Sequence, residues 1–403
     1  MNLFEFAKGT PLGLWSIPVF ILIITFGVVL LVWRKGLNQR VWIISISFSL
    51  FCLISIVVVW LGIVNIPLKC DNGFAITSPA ELEDFLSTYK QPITEHHPLF
   101  IPTGVFIQSL EFVSSNDIQV TGFIWQKYRD DLPSDLKRGF IFPEGSDTET
   151  NLDYQIHQGD TEVMGWYFKT TLRQRFFFNH FPLDTQDVWL RIWDQDIQYN
   201  VFLTPDIEAY DTLDPEQLPG LDSHFVLENW YIQTAYYSYL LNAYNTDFGI
   251  KDNKLYGNFP ELYYNLGIRR NTLNALLIYV TPPLITAVMI FGMLVISTHY
   301  QEKKSFRGWD PASAIWFCAD LLLVIVFTQT NMRVALNSPE VVYLEYFYFI
   351  IYGSIIFVTI NSLLFSKSEK VWFIHFSENL YTKSLYWPLV TASFLVITLL
   401  TFA

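Results

Sequence analysis

Six apolar stretches constrain this chain more than anything else in it. Residues 14–33, 41–64, 272–298, 311–332, 343–365 and 385–403 are each about as long as the roughly 20 residues a helix needs to cross a bilayer. The interior of a bilayer leaves the backbone no partner except itself, so such segments fold as helices. Charged residues make up only 16% of the chain, a low share that follows from these stretches. A polar segment, about 65–270, separates the second stretch from the third and is large enough to bury a core of its own.

Charge predicts the orientation. The short loops after the first, third and fifth stretches carry Arg34, Lys35 and Arg40; Lys303, Lys304 and Arg307; and Lys367, Lys370 and Lys383. Positive short loops stay in the cytoplasm. All three agree with one six-span topology, in which segment 65–270 and both termini face outward. No cleavage site follows the first stretch, so that helix is expected to be retained. The segment 65–268 holds 30 Asp and Glu against 12 Lys and Arg, a net of −18 against −13 for the whole chain. The outward surface therefore repels nucleic acid and gathers cations. Cys52 and Cys318 fall inside apolar stretches and Cys70 stands alone outside, so no disulfide within the outer segment and no metal-ligand spacing is expected.

The outer segment reads as strands. Val188, Leu190 and Ile192 alternate with Trp189, Arg191 and Trp193, and Leu262, Tyr264, Leu266 and Ile268 repeat the pattern before the third span. Residues 104–128 read as a hairpin turning at Ser114-Ser115-Asn116-Asp117, and 228–245 as a Tyr-rich strand. Ser78, Pro79 and Glu81 open the one helical pattern, 78–89. The expected fold class is an α+β membrane protein: two N-terminal transmembrane helices (1–68), an extracytoplasmic antiparallel β-sandwich (69–269) and a four-helix transmembrane bundle (270–403).

The stretch FFFNHFPLDTQDVWLRIW, 176–193, sets a proline between an aromatic block and a strand. Pro182 cannot donate to a ladder and keeps Phe181 out of helix, so 174–187 is a loop with a greasy tip. The tip is expected to rest on the membrane helices, with Asp184 at the boundary, where a cation would partner it strongly.

FPLDTQ, 181–186, resembles the signature loop of the pentameric ligand-gated ion channels, the Cys-loop receptor superfamily. The positions that hold the family's cysteines in animal members are Gln174 and Val188 here, so the disulfide is missing, as in bacterial members. The hairpin 104–128 with Trp125 and Tyr128, the run NLGIRRNTLNALLIYVTPPL with Arg269-Arg270 and Pro282-Pro283, and the order of the last four spans are similar to the family's. The resemblance covers about 95–403; the first two helices are an addition to the family pattern.

The resemblance implies a homo-oligomer, a pentamer, whose 311–332 helices surround a pore. It implies binding of a small-molecule ligand, or protons, in an aromatic pocket between subunits. Candidate ligand contacts are Trp193, Tyr244 and Tyr256 on one side and Trp125 and Tyr128 on the other, an arrangement that suits a cationic amine. Coupling residues are Phe181, Pro182, Asp184, Arg269 and Arg270, meeting the turn 114–117 and the loop 333–342 with Arg333 and Glu340, with an Asp184–Arg269 ion pair as the natural contact.

Two faces of helix 311–332 compete for the axis. One carries Asp310 as an inner ring, then Ala314, Cys318, Leu321, Ile325 and Thr328, with Leu321 and Ile325 as an apolar gate. The other carries Ser313, Asp320, Val324 and Asn331 and sets a carboxylate mid-pore. Trp316 and Phe317 are bulkier than a conducting pore usually tolerates, which keeps a non-conducting receptor on the same scaffold as an alternative. An enzyme is not expected: neither G-x-S-x-G nor H-E-x-x-H occurs, His96, His97, His157, His180 and His224 are scattered, and no cofactor motif is present. The expected location is the bacterial inner (plasma) membrane, with permeating cations and lipid as the other partners.

Overall fold

A computed structural model describes residues 36–89, 98–249, 259–297, 311–366 and 374–402, less 197, 198, 200, 226, 247, 339, 375, 376 and 378. The first apolar stretch, 14–33, and the basic residues at 34–35, 303–307 and 367–370 lie outside the described residues. The chain divides into two compact units. One holds residues up to Asn65, Leu276–Val334 and Val341–Ala403; the other holds Ile66–Ala275 and Ala335–Glu340.

The helical unit is built from α1 (Leu37–Val64), α3 (Thr272–Tyr279), α4 (Thr281–Ser297), α5 (Pro311–Leu336), α6 (Tyr343–Ser366) and α7 (Leu380–Phe402), with α3 and the end of α5 reaching into the second unit. Five described spans are long and apolar enough to cross a membrane, α3 and α4 counting as one. The expected single helix over 272–298 is interrupted at Val280, because Pro282 and Pro283 bring no N–H to the ladder. The carbonyl that Pro283 leaves without an i→i−4 donor is that of Tyr279, and the Tyr348 hydroxyl of α6 donates to it at 2.7 Å. Pro388 does the same inside α7: the Ser384 carbonyl it strands accepts from the Ser45 hydroxyl of α1 at 2.5 Å. In lipid such a carbonyl has no water to fall back on, so both hydroxyls fix which helices lie side by side. Further along α1, Trp60 Nε1 donates to Tyr343 Oη at 2.9 Å and stacks on Phe347. Helix α1 is thus packed into this unit.

The second unit contains β1 (Phe74–Ile76), α2 (Pro79–Tyr89), β2 (Leu99–Phe112), β3 (Asp117–Arg129), β4 (Phe140–Ile141), β5 (Gly145–Gln158), β6 (Thr161–Arg173), β7 (Thr185–Asp194), β8 (Val201–Pro205), β9 (Trp230–Asn242) and β10 (Phe259–Arg270). They form two five-stranded sheets, β1-β9-β10-β7-β4 and β5-β6-β3-β2-β8. The second sheet departs from the all-antiparallel expectation, since β8 runs parallel to β2. The alternation read from the sequence is kept: Val188, Leu190, Ile192, Leu262, Tyr264, Leu266 and Ile268 are all buried. Tyr237 and Tyr239 of the first sheet bond the Val105 amide and the Leu203 carbonyl of the second. Burial raises both phenols well above the ordinary range, so they remain uncharged donors and acceptors. Helix α2 begins as the sequence implies, with Glu81 accepting from the Thr77 amide at 2.7 Å and Ser78 Oγ facing the Glu81 amide at 3.4 Å. These bonds hold the Glu81 carboxyl below its usual range.

Candidate functional site

The proline loop is closed at its neck by two glutamines. Gln174 donates to the Trp189 carbonyl and accepts from the Trp189 amide at 3.3 Å. Gln186 accepts from the Phe177 amide at 3.0 Å and donates to the Phe177 carbonyl at 2.6 Å. Each side-chain amide acts as a rung between the two arms of the loop. The Phe181–Pro182 bond is cis.

Most of the greasy tip is enclosed. Phe176, Phe178, Phe181 and Leu183 are buried, and of the aromatic block only Phe177 is exposed. Phe178 and Phe181 gather with Trp230 about Arg270, whose guanidinium lies 4.1 Å from the Trp230 ring, 4.9 Å from Phe181 and 5.8 Å from Phe178. Its two nitrogens meet the buried Asp184 carboxylate at 2.6 and 2.9 Å, a bidentate pair. The partner of Asp184 is therefore Arg270, not Arg269 as expected. The reason is the two-residue period of β10: Arg270 continues the buried face of Leu266 and Ile268, and Arg269 points the other way. Arg269 instead donates to the Ile66 carbonyl of the segment entering from α1. Burial there holds the Arg269 guanidinium below its ordinary range. The entering segment lies close on β10 because position 267 is glycine; a Cβ there would fall 2.3 Å from Thr234 Oγ1 and 3.2 Å from Leu68.

The other segments assigned to coupling also converge. The turn after β2 closes as read, with the Val113 and Ser114 amides on the Asp117 carbonyl. Ser115 Oγ accepts from Asn337 Nδ2 at 3.3 Å, and Arg175 lies 3.5 Å from Glu340. Both contacts are exposed and contribute about 0–1 kcal/mol each, so they can be exchanged without unfolding anything. Arg333 goes elsewhere, to the buried Glu345 at 2.7 Å within the helical unit.

Of the candidate ligand contacts, Trp193 and Tyr244 meet edge to face at 5.8 Å, with Phe248 completing a triangle at 6.3 and 5.6 Å. Tyr256 lies outside the described residues. Sequence reasoning missed what this cluster holds. The Arg191 guanidinium lies 5.2 Å from the Trp193 ring, flanked by Glu144 and by Glu261 at 3.4 Å. Tyr244 joins Arg191 at 2.9 Å and Glu261 at 2.6 Å; burial, then Glu261, pushes its phenol up. Trp193 Nε1 is buried and has no acceptor among the described residues. The alternation of β7 carried the missed signal, since Arg191 and Trp193 share a face. On the other sheet, Trp125 donates to Asp206 at 2.8 Å. Tyr128 is core: its hydroxyl donates to Gln126 at 2.6 Å and accepts from the Gly139 amide at 2.9 Å, and burial raises its phenol. The Tyr128 side chain is 1% exposed.

In α5, Ala314, Cys318, Leu321, Ile325 and Met332 form one buried stripe. Gln329 donates to Glu345 at 3.3 Å and accepts from Tyr352 at 2.6 Å, so this stripe faces α6. Leu321 and Ile325 are thus enclosed by their own chain. Asp320, Val324 and Asn331 are exposed, as are Trp316, one turn before Asp320, and Phe327, two turns after it. Thr328 bonds its own helix at the Val324 carbonyl, and Asp310 lies outside the described residues.

The acidic run 211–222 folds as a turn in which Asp214 caps the Glu216 amide at 3.2 Å. Among the described residues no three His, Cys, Asp or Glu side chains gather as metal ligands. No protein-family model matches the chain, and no curated protein matches it in sequence.

Proposed function

We propose that the chain is a subunit of a ligand-gated, cation-conducting channel of the pentameric type, in which a β-sandwich ahead of a four-helix bundle senses a ligand. In this reading the sandwich and both termini lie outside a bacterial plasma membrane, and five copies of α5 surround the pore. The observation that carries it is the Asp184–Arg270 pair under the FPLDTQ loop, where β10 runs into the apolar α3. Support also comes from the exchangeable contacts of Ser115 and Arg175 with the 335–340 connector after α5. A buried bidentate pair resists change while weak surface pairs exchange, which suits a signal passed from loop to connector. In this reading the Asp320, Val324 and Asn331 face is assigned to the pore; its exposure in the single chain supports that choice.

A second reading, a receptor that does not conduct, is favoured by the exposed bulk of Trp316, one turn before Asp320, and Phe327, two turns after it. Purified protein in planar bilayers separates the two. Unitary currents evoked in a screen of pH and amines, shifted in reversal potential by Asp320→Asn, support the channel. Silence throughout, from particles that form closed rings, supports the receptor and rejects the channel.

A further inference from the structure

Three chain segments place an aromatic residue, buried at Phe176 and Trp230 and half-buried at Phe112, before an exposed residue at the same end of the sheet unit. Phe112 packs 5.1 Å from Phe176 and 5.3 Å from Trp230, and the next residues, Val113, Phe177 and Tyr231, are turned out. Phe177 is 55% and Tyr231 57% exposed, large values for aromatics of a folded domain. This end is also where the chain becomes apolar. Asn229, two residues before Tyr231, accepts from the Asn271 amide at 2.8 Å and from Asn274 Nδ2 at 3.0 Å. Those bonds tie the start of β9 to the first turn of the span Thr272–Ser297. Beside Phe177, the exposed Arg175 guanidinium lies 4.8 Å from its ring and 3.5 Å from Glu340.

We propose that Phe177, Tyr231 and Arg175 form an interfacial anchor that binds phospholipid headgroups of the bilayer crossed by α3 and α4. A tyrosine ring, apolar with a polar tip, settles at the headgroup level, a phenylalanine beside it dips into the acyl boundary, and a neighbouring arginine extends its charge to phosphate. The geometry matches: Tyr231 stands at the mouth of a membrane span, and Phe177 carries a cation over its ring. The anchor does not depend on whether the protein conducts. It would hold the proline loop at a fixed depth, so that the lipid composition acts on the loop directly.

The test is photo-crosslinking of the full chain in vesicles of phosphatidylethanolamine and phosphatidylglycerol. p-Benzoylphenylalanine replaces Phe177 or Tyr231 and, as controls, Leu152 or Ile156, each 49% exposed on β5. The expected result is a phospholipid adduct at 177 and at 231 in several-fold excess over both controls, by intact mass. Arg175→Ala should lower the yield at 177. Equal yields at all four positions, or adducts at 177 and 231 formed only with protein, would overturn the proposal.

Discussion

Arg270 grips Asp184 with Nε at 2.6 Å and Nη2 at 2.9 Å, beneath a lid of Trp230, Phe181 and Phe178. Removing one partner leaves the other charge buried and alone. Asp184→Asn and Arg270→Gln should each destabilise the protein by about 3–5 kcal/mol, and the double variant by less than the sum. Thermal unfolding followed by tryptophan emission measures both; full additivity would show that the pair is not coupled.

The Tyr279 carbonyl depends on the Tyr348 hydroxyl because residue 283 is proline. Tyr348→Phe should cost about 1–3 kcal/mol, the penalty of a buried acceptor left unmade. In a Pro283→Ala background the backbone can supply the bond, and the same substitution should cost clearly less. Equal costs in the two backgrounds, from inactivation half-lives in one detergent, would remove the proline from the explanation.

Gln186 holds both backbone groups of Phe177. Replacing it with Ala should speed hydrogen exchange across 176–181 and leave the strand pairs of β3 with β6 protected. Unchanged exchange in the loop would mean that its burial alone keeps it closed.

Cys70 is half-buried, and burial, then the Asp187 and Asp71 carboxylates, push its thiol up. A raised pKa means less thiolate at any pH below it. Iodoacetamide should therefore modify Cys70 more slowly than an unhindered cysteine near pH ~8.5, and the gap should close as pH rises. Asp187→Asn should speed the reaction at fixed pH; no change, by peptide mass mapping, would leave desolvation as the whole cause.

The Arg191 guanidinium lies over the Trp193 ring at 5.2 Å, the kind of position that the proposed amine ligand would compete for. Arg191→Gln should leave Glu144 and Glu261 without their cation and raise the affinity for organic cations, read by quenching of tryptophan emission. A fall in affinity would assign Arg191 to ligand contact.

Much of this molecule follows from rules that act over a few residues. Apolar length marks the spans, the two-residue period marks the buried faces of β7 and β10, Pro182 makes a loop, and Ser78 with Glu81 starts α2. Arg270 was legible in the same way, since the period that buries Ile268 also turns Arg270 inward.

Other choices belong to the tertiary structure alone. Nothing local in the sequence says that Gln174 grips Trp189, that Arg191 fills the aromatic cluster, or that α5 turns Leu321 and Ile325 toward α6. Tyr348 finds Tyr279 across 69 positions and Ser45 finds Ser384 across 339. The residues around a chain segment determine its hydropathy and its backbone donors. Which partner satisfies a stranded carbonyl or a buried charge depends on what distant segments bring to the same place when the core closes, and that is settled by packing.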